Sequence, residues 1–214
     1  MKHIYATLIV PLAILIPIAI GLFKGVYKNA PLKTIFFYLV FATVIYLLSR
    51  ILGLHGINNL PLLHFYTIVE YLFILWYFRS SLNEEKASRV IGLLMVVFPV
   101  LSILDLLLIQ DIFQFNSYPR PVAALIIIGL CMYYFFRYSG NENKKSWATI
   151  PFNWINTGLL IYFCSGLIYF AFLSIITKYA SAATYYLFGT IHATLVLLMY
   201  LLFAIGFLKV KDER

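Results

Sequence analysis

Long apolar runs separated by short polar clusters organise the chain. Seven such runs stand at 4–23, 34–54, 62–78, 90–109, 121–136, 153–176 and 185–208. Each is close to the roughly 20 residues a helix needs to cross the hydrocarbon of a bilayer. The polar connections, among them RSSLNEEKASR and RYSGNENKKSWATIP, are too short to hold a separate soluble domain. Pro31, Pro61, Pro121 and Pro151 stand at or just before run starts, where a missing N–H costs a helix nothing. Pro11, Pro17 and Pro99 lie inside runs and predict kinks in the first and fourth helices. The pattern predicts an all-α fold, a single domain over residues 1–214 built as a bundle of seven transmembrane helices.

Composition agrees with lipid as the solvent. The chain is 63% hydrophobic and 11% charged, against about 25% charged in a typical globular protein. Its mean hydropathy is +0.93, and the remaining charge clusters between the runs. An ordinary soluble domain is excluded. The apolar stretch that opens the chain is longer than a signal-peptide core, and no A-x-A-like site follows, so it is read as a retained first helix. Cys131 and Cys164 both lie within runs and read as small core residues rather than a disulfide.

Charge asymmetry predicts orientation. With seven crossings, Lys2, Arg50, Arg120 and Lys178 share one side. Lys24, Lys28, Lys33, Arg79, Lys86, Arg89, Arg137, Lys144, Lys145, Lys209, Lys211 and Arg214 share the other. Basic residues in short loops stay in the cytoplasm. The N-terminus is therefore expected outside and the C-terminus inside a plasma membrane. The net charge of +8 needs no nucleic acid: anionic lipid headgroups at the inner face account for it.

A shift of 123 residues lays runs two and three on runs six and seven without a gap. Ile45 and Tyr46 fall on Ile168 and Tyr169, and Phe65, Thr67, Ile68, Leu72, Leu75 and Tyr77 fall on Phe188, Thr190, Ile191, Leu195, Leu198 and Tyr200. Apolar composition raises such coincidences by chance. A true repeat would make helices 1–3 and 5–7 parallel halves, one of the ways transporters are built.

Ionisable residues inside a membrane are costly, which makes them candidates for function. Arg50, His64, Glu70, Asp105 and His192 all fall between the expected outer surface and the midplane, with Glu70 the deepest. They predict an outward polar cavity in which Arg50 pairs with Glu70 or Asp105, and helical spacing adds Thr67, Tyr46 and Tyr169 as neighbours. The alternative is structural, with Arg50 and His64 reaching the interface and Glu70 capped by Thr or Tyr hydroxyls in a dry helix contact. H-x-x-x-H, H-E-x-x-H and G-x-S-x-G are all absent, so the pattern calls for no cofactor and leaves any metal undefined. Most of the aromatic residues read as interfacial belts, and Gly158, Gly166, Gly189 and Gly206 as sites of close helix packing.

The stretch GINNLPLLHFYTIVEYLFILWYFR, with His64, Thr67 and Glu70 in an H-x-x-T-x-x-E spacing, resembles uncharacterised seven-helix membrane proteins of Bacteroidetes-type bacteria. Some of these are similar to the membrane parts of sensors. The resemblance implies a sensor or accessory subunit, and an output reached through a protein partner on the cytoplasmic side, because KVKDER follows directly on the seventh run. The combined expectation is a protein that binds a small or lipid-like ligand. A small transporter comes second, and a membrane-embedded metal-dependent lipid enzyme third.

Overall fold

The computed structural model describes residues 4–138 and 146–210. Lys2, Lys144, Lys145, Lys211 and Arg214, which enter the charge argument, lie outside the described residues. Seven helices long and apolar enough to cross a membrane follow one another. They are α1 (Tyr5–Phe23), α2 (Leu32–Leu54), α3 (Leu60–Ser81), α4 (Glu85–Leu108), α5 (Pro119–Tyr138), α6 (Pro151–Tyr179) and α7 (Ala182–Leu208). No strand occurs among the described residues.

Most helices outrun the apolar runs that predicted them. Hydropathy marks where lipid ends, whereas a helix continues until its caps and turns stop it. Helix α5 is the case that matters. Pro119 opens it, and this carries Arg120, expected among the loop charges, into the buried first turn. At the end of α2, Gly56 takes a left-handed φ of 69° and Ile57 N–H returns to the Leu52 carbonyl, which closes the helix and reverses the chain.

The proline kinks are realised unequally. Helix α1 opens with a π turn over Tyr5–Ile9 and breaks again at Ile14, between the segments Val10–Ala13 and Leu15–Phe23. Helix α4 runs through Pro99 unbroken.

Short connections force successive helices to alternate in direction, and side-chain pairings agree. Tyr38 meets Glu70 between α2 and α3, Tyr71 meets Leu94 between α3 and α4, and Tyr134 meets Asn153 between α5 and α6. Helix α1 lies between α2 and α7: a Cβ added at Gly21 would come within 2.7 Å of the Phe36 ring and 3.3 Å of the Phe207 ring. Helix α3 is the hub, with Tyr71, Ile74, Leu75, Tyr77 and Phe78 fully buried. Glycines bring α6 and α7 together. A Cβ at Gly158 would stand 2.9 Å from Phe203, and one at Gly206 3.1 Å from the Pro151 carbonyl. The outer surface stays apolar, as Leu93, Val96, Leu107 and Leu108 on α4 show. Water would penalise so wide an apolar face, but lipid does not.

The alternation gathers Lys24, Lys28, Lys33, Arg79, Lys86, Arg89, Arg137 and Lys209 at one end, called here the basic end. Arg50 and Lys178 stand at the far end.

Candidate functional site

Glu70 sits near the middle of α3, 2% exposed, and its carboxylate is fully engaged. One oxygen, Oε1, accepts from the hydroxyls of Tyr38 at 2.8 Å, Tyr66 at 2.8 Å and Tyr162 at 3.2 Å. The other, Oε2, faces Arg120 Nη2 at 3.6 Å. Arg120 reaches inward from the first turn of α5. Its Nη1 donates to Thr67 Oγ1 at 3.1 Å and its Nη2 to the Tyr162 hydroxyl at 3.0 Å. The guanidinium carbon lies 4.0 Å above the Phe170 ring and 5.5 Å from the Tyr66 ring. Four helices therefore meet on one neutralised pair: α2 through Tyr38, α3 through Glu70, Tyr66 and Thr67, α5 through Arg120, and α6 through Tyr162. Desolvating two charges is expensive, and only such complete satisfaction repays it.

The cation beside Glu70 is Arg120 and not Arg50. Arg50 stands exposed near the end of α2, where its long side chain reaches the interface. Helical phase separates His64 from Glu70. His64 is buried, and its Nε2 bonds the Gln114 carbonyl at 3.0 Å, which pins the α4–α5 connection to the start of α3. Asp105 is buried on α4 and is not part of the Glu70 network. Glu70 thus has the hydroxyl-capped arrangement that the structural alternative describes.

Beside this network, in the far half, lies a cavity of about 750 Å³. Helices α1, α2, α3 and α7 supply most of its walls, with Tyr169 entering from α6 and Phe115 from the α4–α5 connection. The described lining is aromatic and apolar, with scattered hydroxyls, the Asn59 amide and the His192 imidazole. Of the candidate residues, Tyr46, Tyr169 and His192 line it; Arg50, His64, Thr67, Glu70 and Asp105 do not. Tyr46 donates to the Thr7 carbonyl at 2.6 Å, tying α2 to the π turn of α1. His192 lies flat against Tyr169, centroids 4.7 Å apart and rings 6° from parallel. Ser165 spends its proton on the Tyr162 carbonyl, so His192 Nδ1 must donate to Ser165 Oγ at 3.1 Å. The neutral ring then offers Nε2 as an acceptor. Gly189 opens space here rather than packing helices, since the nearest atom to an added Cβ is Tyr169 Oη at 3.9 Å.

Tyr66 belongs to both structures. It lines the cavity, and its hydroxyl binds Glu70. The sequence reading missed Tyr38, Tyr66 and above all Arg120 as partners of Glu70. One signal was present: proline at 119, immediately before Arg120, fits the first turn of a helix better than a loop.

A second polar hub closes the basic end. Glu84, between α3 and α4, accepts from the Tyr133 hydroxyl, from Arg137 Nε at 3.0 Å and from the Tyr138 hydroxyl at 3.1 Å. The Tyr133 hydrogen bond, helped by Arg137 and Tyr138 and opposed by desolvation, holds the Glu84 carboxyl below the usual carboxylate range.

Among the described residues no three His, Cys, Asp or Glu side chains are grouped to hold a metal ion. Comparison with family models, with curated proteins and with solved structures finds no match.

Proposed function

We propose that this chain is a multi-pass plasma-membrane protein that binds an uncharged, small or lipid-like ligand in the far-half cavity, as a sensor or accessory subunit. The cavity itself carries this reading. Its volume falls in the range of small-molecule sites, and its apolar wall with a few placed polar groups has their composition. Among the described residues no charged side chain lines it, which favours a neutral amphiphile whose oxygens meet tyrosine hydroxyls or His192. Occupancy would be felt through Tyr66, which links the wall to the Glu70–Arg120 pair and so to four helices.

The charge asymmetry supports a cytoplasmic basic end, with both termini placed accordingly and the far-half cavity in the outer leaflet. Anionic lipids and a cytoplasmic protein partner would then meet the Lys- and Arg-rich face. Ile57→Cys and Asn83→Cys, in a chain lacking Cys131 and Cys164, test this on intact cells. An impermeant maleimide should label position 57 alone, and the reverse pattern would invert the topology.

The transporter reading keeps one observation in its favour. Tyr46 and Tyr169, equated by the 123-residue shift, both line the cavity. It loses Glu70 as a mobile proton site, because three hydroxyls and Arg120 hold that carboxylate.

Mass spectrometry of the purified protein, released from gentle detergent, tests the binding reading. A neutral molecule should co-purify with the wild type and be lost from Ala193→Trp, which fills the cavity while the helical circular dichroism stays unchanged. The same adducts on both proteins would defeat the proposal.

A further inference from the structure

A second polar cluster lies at the far end, apart from the cavity and the ion pair. Ser102 Oγ, Asp105 Oδ2, Gln110 Oε1 and Asn116 Oδ1 are buried oxygens with no hydrogen-bond partner among the described residues. Their residues are 4%, 7%, 9% and 4% exposed. Buried polar groups are almost always satisfied, so four orphaned oxygens in one region call for a partner. Asn156 Oδ1 is a fifth such atom, but it sits across the bundle, where its own amide N–H donates to Tyr77.

The four belong to one short stretch of chain, residues 102–116. Ser102 and Asp105 lie about one turn apart on the buried face of α4. The helix ends directly below them, where Ile109 and Gln110 N–H both donate to the Asp105 carbonyl at 2.9 Å. Gln110 Nε2 then donates to the Phe115 carbonyl at 3.2 Å, which draws the connection back over the helix end and Asn116 with it. From α3, His64 Nε2 holds the neighbouring Gln114 carbonyl at 3.0 Å, so that nitrogen carries its proton.

The donor set is chemically narrow. It consists of oxygen alone: one carboxylate, two amide carbonyls and a hydroxyl. Hard cations take oxygen ligands, whereas softer metals favour imidazole and thiolate. The C-terminal end of a helix favours positive charge. The Asp105 carboxylate lies within electrostatic reach of the His64 imidazole, but its Oδ2 has no hydrogen-bond partner among the described residues, and a single carboxylate among neutral oxygens balances a single positive charge. We propose that Asp105, Ser102, Gln110 and Asn116 form a binding site for a monovalent alkali cation.

The site has a structural consequence. Gln110 and Ser117 both hold the Phe115 carbonyl, and the Phe115 ring lines the cavity. A cation bound to Gln110 and Asn116 would fix this stretch of cavity wall. The proposal does not depend on what the cavity binds, and it can fail without touching that reading.

Sodium is the probe. Thermal unfolding of the full chain in detergent is followed in sodium, potassium, lithium and choline chloride at equal ionic strength. The melting temperature should rise saturably by about 5 °C in at least one alkali chloride over choline, as expected for a ligand near a hundredfold its dissociation constant. Asp105→Asn should abolish the rise, and Arg50→Gln should leave it intact. If Asp105→Asn does not fold, Asn116→Ala takes its place with the same expectation. Equal melting in all four salts overturns the proposal and leaves a protonated Asp105 or ordered water as the partner. Retention of the full rise in Asp105→Asn overturns it as well.

Discussion

Arg120 Nη2 faces Glu70 Oε2 at 3.6 Å and reaches the second carboxylate oxygen through a phenol: the Tyr162 hydroxyl accepts from the same Nη2 at 3.0 Å and donates to Glu70 Oε1 at 3.2 Å. The pair is thus bridged as well as opposed. Two charges cross between α3 and α5 through a group on α6, and none of the three can move alone.

Removing one partner should therefore cost far more than removing both. Arg120→Leu strands the Glu70 carboxylate and is expected to lower stability by about 3–5 kcal/mol. Adding Glu70→Gln should recover part of that loss, giving a double variant more stable than the sum of the singles predicts. Reversible unfolding in mixed micelles measures this. Strict additivity would show that the two residues do not act as a pair.

The phenols should rank by the number of bonds each makes to the charged pair. Tyr162→Phe loses the bonds to both Arg120 and Glu70, whereas Tyr38→Phe loses one bond to the carboxylate and a 3.2 Å contact with the Tyr66 hydroxyl. A hydrogen bond to a charged group is worth about 1.5–3 kcal/mol, so Tyr38→Phe should fall in that range and Tyr162→Phe above it. The same unfolding assay would detect a reversed order.

At the basic end the prediction concerns pH. Glu84 has a folded-state pKa below its unfolded value, through Tyr133 first and then Arg137 and Tyr138. Its stabilisation is complete above the unfolded carboxylate value, about 4.3, and disappears as pH falls through the folded one. Melting temperatures of wild type and Glu84→Gln should differ at neutral pH and converge under acid. A constant gap across that window would show that Glu84 acts through packing and not through its charge.

Glycines divide into two kinds. Gly206 has backbone and the Ile155 side chain within 3.1 Å of where a Cβ would stand, whereas nothing lies within 4 Å at Gly129. Gly206→Val should cost about 1–3 kcal/mol by overpacking. Gly129→Ala should gain up to about 1 kcal/mol from helix propensity. Comparing the melting temperatures of the two variants decides between them.

What the sequence discloses follows from what each signal measures. Hydropathy reports the solvent of a segment, so all seven helices were legible from runs such as 62–78 and 90–109. It says nothing about which side chain turns inward from a helix end. That is why Arg120, one residue before a run boundary, read as a loop charge and Arg50 as the partner of Glu70. Helical spacing did place Thr67 near the polar face, because i and i+3 neighbours are fixed by local geometry. The pairing of Tyr38 with Glu70 depends on how two helices are rotated against each other, and period alone does not encode that. The full lining of the cavity escaped for a related reason: Tyr46, Tyr169 and His192, all among the expected residues, come from three helices, and only packing shows which others join them.

The hub position of α3 has a consequence for the order in which the protein is made. When α3 enters the bilayer, Tyr38 is already synthesised, but Arg120 lies 50 residues further on and Tyr162 further still. At about 5–20 residues per second, Glu70 waits roughly 3–10 seconds for its counter-charge. A lone carboxylate at that depth is costly, and until α5 arrives Glu70 has only the phenols of α2 and α3 to satisfy it. The hub closes when α5 delivers Arg120 and α6 delivers Tyr162. Closure of the four-helix contact would then be a late assembly step, timed by the ribosome.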